Sequence, residues 1–346
     1  MTEIQVSYRE LARSAKLRYV YAGRSGYSRQ KKGKRFIYLD TTGKIIADQE
    51  ELDRITGLVL PPAWTSVWIC PFANGHLQAT GLDVAGRKQY RYHARWSKVR
   101  NENKFDNMYA FGKKLPGLRR RIRRDIRKRT LQREKVSAIA LNVMDATFIR
   151  AGNTAYEKAY GSYGLTTLKN RHVAITGSGV LFKFKGKKGV PQQIALKNAS
   201  LARLLQHVKE LPGQELFQYY DDNEELHQLG SADINDYLKT NMGAEFTCKD
   251  FRTWAGCIVA LQLMADTLVV ENALSKNGIN TIIDGVAARL GNTRAVCRKY
   301  YIHPGLLQAY SAGKLDPLLQ QLLRYKQDKN YNQKTELLLL RFLKTK

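Results

Sequence analysis

Residues 290–304 read LGNTRAVCRKYYIHP, with Asn292 nine positions before Tyr301 and a second tyrosine, Tyr300, beside it. Upstream, residues 249–254 read KDFRTW and carry Lys249 and Arg252. A tyrosine hydroxyl and an arginine fork are the two groups that nucleophilic attack on a phosphodiester needs. The phenol supplies the nucleophile once it loses its proton, which it holds to a pKa of about 10 in water. Arginine binds two phosphate oxygens at once and stays charged. Adjacent side chains on a helix point about 100° apart, so only one of Tyr300 and Tyr301 can face a bound phosphate.

The rest of the composition agrees with a phosphodiester substrate. The chain has 346 residues, with 58 Lys plus Arg against 30 Asp plus Glu, a formal net charge of +28. That excess predicts a polyanionic partner, nucleic acid before anionic membrane, since no amphipathic anchor stands out. The densest basic run is 119–129, RRRIRRDIRKR, in which eight of eleven residues are basic. If six phosphates were neutralised, affinity would fall roughly 10³-fold between 50 and 200 mM salt. Hydrophobic residues make up 43% of the chain, enough for a buried core and two domains. Cys70, Cys248, Cys257 and Cys297 are far apart and read as free thiols of a reducing compartment. No signal-like start and no 18-residue apolar run is present, which predicts an intracellular, cytoplasmic protein. No Walker sequence GxxxxGK[ST] and no convincing metal-ligand cluster is visible, so neither a cofactor nor a metal is expected.

The elements that must position these residues fall into two domains, 1–98 and 99–346. The first reads β-rich: residues 35–47 as two strands around a Gly-containing turn, 66–70 as a third, and 77–80 with 88–93 as a hairpin. In 88–92 cationic and aromatic side chains alternate, so Lys88, Gln89, Tyr90 and Tyr92, with Arg87 before them, could touch phosphates and base edges. The second domain reads mainly helical. Leu118, Ile122 and Ile126 recur at helical spacing, and a second helix is expected over about 136–149. A β-meander over 165–168, 172–176, 180–185 and 190–196 interrupts the helices, which resume after Ser200. The fold class is therefore α+β: a small antiparallel sheet with helices, then a mainly α-helical domain with a small β-meander.

Fragments spread over nearly the whole chain resemble the type IB DNA topoisomerases of the poxvirus and bacterial branch. Residues 61–70 (PPAWTSVWIC) and 86–92 (GRKQYRY) resemble that family's N-terminal domain. FIRAGN at 148–153, TLKNRH at 167–172, KGK at 185–187, KDFRT at 249–253 and RKYYIHP at 298–304 resemble its catalytic domain, in order. The resemblance implies Tyr301 as nucleophile, Arg150 and Arg252 as the phosphate clamp, Lys187 as the acid for the departing 5′ oxygen, and Lys249 as a lysine that assists near the phosphate. Lys187 is preferred to Lys185 and Lys188 because it directly follows Gly186, as in the family. Where the family usually has histidine, this chain has Asn292, an amide that can donate to a phosphate oxygen but never carries charge. By the same resemblance Gln89, Tyr90 and Tyr92 face the major groove, and Tyr156 is a further DNA contact. The implied protein is a monomer that clamps duplex DNA and needs neither ATP nor metal. The competing readings are a tyrosine recombinase, whose box usually has histidine where Lys249 stands, and an architectural DNA-binding protein, which would not explain the ordered site residues.

Overall fold

A computed structural model describes residues 8–22, 25–33, 35–84, 86, 88–243, 246–268 and 276–344. The chain divides into two compact units, Met1–Lys104 and Phe105–Lys346.

The first unit holds α1 (Tyr8–Ser14), β1 (Tyr27–Lys32), β2 (Arg35–Leu39), α2 (Gln49–Gly57), β3 (Thr65–Ile69), β4 (Leu77–Leu82) and β5 (Lys88–Tyr92). The five strands form one antiparallel sheet in the order β2-β1-β3-β4-β5. Val67, Ile69 and Ala79 alternate onto one face and bury Ile55 of α2 between them. Asp48 caps α2 by accepting from the Glu50 N–H at 3.1 Å. The hairpin expected over 77–93 forms as β4 and β5. The strand expected after the Gly43 turn is reduced to a single bridge, Leu39 to Ile45. Asp40 explains this, because its carboxylate takes the Thr42 and Lys44 N–H groups at 2.7 and 3.0 Å and curls the chain into a turn.

The division between the units falls inside α3 (Ala94–Ile126). There follow α4 (Arg133–Thr147), α5 (Thr154–Tyr160), β6 (Val173–Thr176), β7 (Gly179–Lys185), β8 (Pro191–Lys197), α6 (Ala199–Lys209), β9 (Gln218–Tyr220), β10 (Leu226–Gln228) and α7 (Ser231–Met242). The chain ends with α8 (Cys248–Leu268), α9 (Lys276–Leu290), α10 (Arg294–Tyr300), α11 (Pro304–Ser311), α12 (Asp316–Arg324) and α13 (Tyr331–Lys344). Helix α8 runs through the core, with Phe251, Ala255, Ile258, Leu261, Met264 and Ala265 all buried. Such a helix is apolar nearly all round because α9, α12 and α13 pack against it.

The meander expected at 165–196 has three strands in the order β6-β7-β8. Its expected first strand is instead a single 3₁₀ turn, Leu165–Thr167. The Leu165 and Thr166 N–H groups donate to the Arg150 and Ala151 carbonyls, both at 2.7 Å, so they are not available to a sheet. A second departure is the β9–β10 hairpin, where the sequence read as helical. Asp221 turns it by accepting from the Asn223 and Glu225 N–H groups, both at 2.9 Å. The same turn brings Asp221, Glu225 and His227 together, a group of ligand-type side chains the sequence had not suggested. Its backbone bonds and the 2.8 Å Asp221–His227 contact account for it as hairpin structure.

Among the described residues no helix is long and apolar enough to cross a membrane.

Candidate active site

Helix α4 ends in a residue that rarely ends one. Phe148 caps it in the left-handed region at φ 58° and ψ 21°, where a β-carbon is strained. The turn sends the chain sharply toward Arg150. The Arg150 and Ala151 carbonyls are then fixed by the 165–166 backbone, and the glycine pair Gly152 and Gly164 makes the approach possible. A Cβ on Gly164 would lie 2.5 Å from the Gly152 Cα. From this anchored backbone the Arg150 side chain donates to the Gly291 carbonyl at 3.0 Å and to the Asn292 side-chain oxygen.

Arg252 comes from the first turns of α8 and is only 4% exposed. Its guanidinium donates to the Phe148 carbonyl and, at 2.6 Å, to the Leu290 carbonyl, while its Nε is buried without a hydrogen-bond partner. Two chain segments, the end of α4 and the end of α9, are thus tied by one cation. Burial, and then the neighbouring Arg252 charge, push the Arg150 guanidinium down to about 10. Among the described residues neither arginine pairs with a carboxylate. Two partly desolvated cations without an acid between them leave unmet demand for an anion.

Tyr301 follows α10 as its capping residue, its N–H held by the Cys297 carbonyl at 3.0 Å. It is 9% exposed, and the Arg252 guanidinium carbon lies 5.2 Å from its ring centroid. Helix α8 supports it from below. A Cβ on Gly256 would fall 2.3 Å from the Tyr301 carbonyl oxygen, so only glycine lets the two backbones meet. The next residue, Cys257, donates its thiol to the same oxygen at 3.5 Å and accepts from the His303 N–H at 3.2 Å. Burial pushes the Cys297 thiol up to about 11 although both arginines pull the other way.

Arg150, Lys187, Asn292 and Tyr301 line one cavity of about 620 Å³, and among the described residues no acidic side chain lines it. Lys187 reaches it from the turn between β7 and β8, whose ends are closed by the Gly186 N–H donating to the Val190 carbonyl at 2.8 Å. Lys187 itself is exposed. Arg252 stands behind the cavity, under the Tyr301 ring. Tyr300 is not in the lining; it packs toward the core, with the Lys299 ammonium 5.3 Å from its ring. Lys249 is exposed one turn before Arg252 on α8 and does not line the cavity. Gln192 and Arg289 do, and sequence reasoning missed both. The alternation of β8 and the position of Arg289 three residues before Asn292 were the available signals.

On the first unit, Lys88, Tyr90 and Tyr92 share one face of β5, and the two rings stack at 6.0 Å between centroids. Gln89 points to the other face, where its amide donates to Asp83 at 2.8 Å, so it does not share the Tyr90–Tyr92 face as expected. Arg87 lies outside the described residues. Tyr156 is exposed on α5 with Tyr160 nearby at 6.4 Å. In the basic run, Arg119 is held inside by Asp145 and Glu336, both at 2.7 Å, and Arg121 by Asp125 at 2.7 Å. These two are structural ion pairs. Arg120, Arg123, Arg124, Arg127, Lys128 and Arg129 are exposed.

A phenol over one guanidinium, a second guanidinium, an amide and a lysine around one open cavity make a site for an oxyanion beside a nucleophile. Such a cluster, set in a mainly helical unit, suits binding of a phosphodiester. Residues 93–329 match the family described as eukaryotic DNA topoisomerase I, catalytic core, and residues 35–83 match the bacterial DNA topoisomerase IB, N-terminal domain. The chain is 32% identical over 293 residues to DNA topoisomerase 1B of Acanthamoeba polyphaga mimivirus, covering 82% of this chain and 87% of that one. It is 28% identical over 123 residues to DNA topoisomerase 1B of vaccinia virus, covering 35% and 38%. The chain belongs to the type IB DNA topoisomerase family, and DNA is its substrate.

Proposed function

We propose that the chain relaxes positive and negative supercoils by cutting one strand of duplex DNA, letting it swivel and resealing it. Tyr301 loses its phenol proton to solvent and attacks the scissile phosphorus. A bond forms from its oxygen to the 3′ phosphate, and the bond to the 5′ oxygen breaks. Arg150 and Arg252 balance the charge that grows on the nonbridging oxygens, and the Asn292 amide turns its N–H to one of them. Lys187 gives the leaving 5′ oxygen its proton, and Lys249 assists from α8. The 5′ hydroxyl then gives its proton back to Lys187 and attacks the phosphotyrosine; the bond from phosphorus to the Tyr301 oxygen breaks, the strand is restored and the phenol regains a proton from solvent. The ester conserves the bond energy, so ATP is not required, and the cations of the site stand where a metal would otherwise serve.

The observation that carries this reading is the meeting of Arg150, Lys187, Asn292 and Tyr301 around one cavity with Arg252 against the tyrosine ring. The domain assignment, 1–98 as a DNA-gripping domain and 99–346 as the catalytic one, belongs to the same proposal. So do action as a monomer and DNA contacts by Arg87, Lys88, Gln89, Tyr90, Tyr92 and Tyr156. The exposed Tyr90, stacked on a half-buried Tyr92, supports the contact, and the Asp83 bond means that Gln89 must let go to take part.

The test is relaxation of negatively and of positively supercoiled plasmid in EDTA without ATP. Relaxation of both, with a covalent adduct trapped by denaturant on the 3′ side of the nick, is expected. Intact DNA binding with no relaxation of either would overturn the proposal.

A further inference from the structure

The reaction above gives Gln192 no part, yet its side chain sits where the lysine hairpin meets the arginine cluster. In the β7–β8 register it lies opposite Phe184, half-buried on the same face as Ile194. It lines the main cavity and also a void of about 10 Å³ that it shares with Arg150, Arg252 and Gly186. Two glycines make the space for it. A Cβ on Gly186 would lie 2.8 Å from the Gln192 Cγ, and one on Gly291 would lie 2.5 Å from its Oε1 and 2.9 Å from its Nε2. Gly186 opens the turn that carries Lys187. Gly291 supplies a carbonyl to Arg150 and precedes Asn292. The Gln192 side chain therefore spans from the turn of the hairpin to the loop that holds the phosphate-binding groups.

A second tie explains why this span matters. The Tyr163 N–H, just before the Gly164 contact, donates to the Lys185 carbonyl at 2.7 Å and anchors β7. A hairpin held at one strand can still rock about that strand. Held at both, it presents its turn at one height. The Gln192 Nε2 donates to the adjoining Pro191 carbonyl at 3.1 Å, its one hydrogen bond among the described residues.

We infer that Gln192 is a positioning residue that sets the Lys187 turn at the right height over the Arg150–Asn292 loop for proton transfer to the leaving oxygen. This rests on the reading of Lys187 as the acid. A misplaced acid should matter for an oxygen that needs a proton and not for a leaving group that departs as a stable anion.

The experiment is single-turnover cleavage of two duplexes, one ordinary and one with sulfur at the bridging 5′ position of the scissile phosphate. Gln192→Ala is expected to slow cleavage of the ordinary strand on the order of 10- to 100-fold, the scale of a displaced proton donor, and to cut the sulfur strand at the wild-type rate. Gln192→Met, of similar length and volume, should restore most of the ordinary rate, because the span and not the amide is what positions the turn. An equal slowing on both strands would mean general distortion of the site and would overturn the inference; so would an unchanged rate on the ordinary strand, or a Met variant as slow as Ala. Lys187→Ala is run beside them. If sulfur fails to rescue that variant, the acid assignment itself falls and takes the Gln192 role with it. If sulfur rescues Lys187→Ala but not Gln192→Ala, only the Gln192 role falls.

Discussion

Each residue at the centre of the cavity has a companion that distinguishes its role from mere proximity. Tyr301 lines the cavity and Tyr300 does not, one residue away. Tyr301→Phe should bind duplex DNA with unchanged affinity and form no adduct, while Tyr300→Phe keeps most activity; gel-trapped adducts and a binding isotherm check both. Arg150 carries a different signature. Burial, and then the neighbouring Arg252 charge, lowers its pKa from the usual arginine range to about 10, so the folded chain holds this proton less tightly than the unfolded one. The penalty is present in full below pH 10, where both states are charged, and fades as pH rises from about 10 toward the ordinary arginine value. At neutral pH, Arg150→Met should therefore not lower Tm, and it should abolish the Tm gain that a bound phosphate analogue gives the wild type. A lower Tm with the gain retained would mean that Arg150 is a structural residue.

At the scale of elements, α8 is the part that joins architecture to chemistry. One helix face supplies the Arg252 guanidinium to the Tyr301 ring and the bare Gly256 backbone to the Tyr301 carbonyl. Gly256→Ala forces a methyl against backbone and should cost about 1–3 kcal/mol, the usual scale of overpacking. Its cleavage rate should fall far more than its DNA affinity does. Thermal melts with single-turnover assays on folded protein separate the two, and equal losses in rate and affinity would remove the seating role. The sequence made Arg252, Arg150 and Tyr301 legible because each sits in a short contiguous motif, in the first turns of α8, just past α4 and just past α10. It also revealed the β4–β5 hairpin and the β6–β8 meander, where alternation and glycine turns coincide. It misread Leu165–Thr167, whose apolar character suits a strand, because the donors of that segment are claimed by carbonyls fifteen residues earlier in the chain. It missed Gln192 and Arg289 because their local signals, the alternation of β8 and a three-residue spacing to Asn292, are weak. Their part comes from long-range placement, as does the pairing that takes Arg119 out of the basic run.

For the whole molecule, charge governs the encounter with DNA. With Arg119 and Arg121 paired internally, six basic residues of the 119–129 run remain exposed. If these six, or an equal number elsewhere on a chain of net charge +28, meet phosphates, binding should weaken roughly 10³-fold from 50 to 200 mM salt. A titration of affinity against salt gives the slope directly, and a flat slope would place the excess charge away from the duplex. The cysteines have a quieter consequence. Cys70 lies in the first unit and Cys248, Cys257 and Cys297 in the second, and all four are buried thiols outside any disulfide. Brief exposure to an alkylating reagent, followed by mass mapping of the tagged peptides, would therefore report how often each unit opens by itself. The protein carries its own clock for breathing in either half, with no label to be engineered.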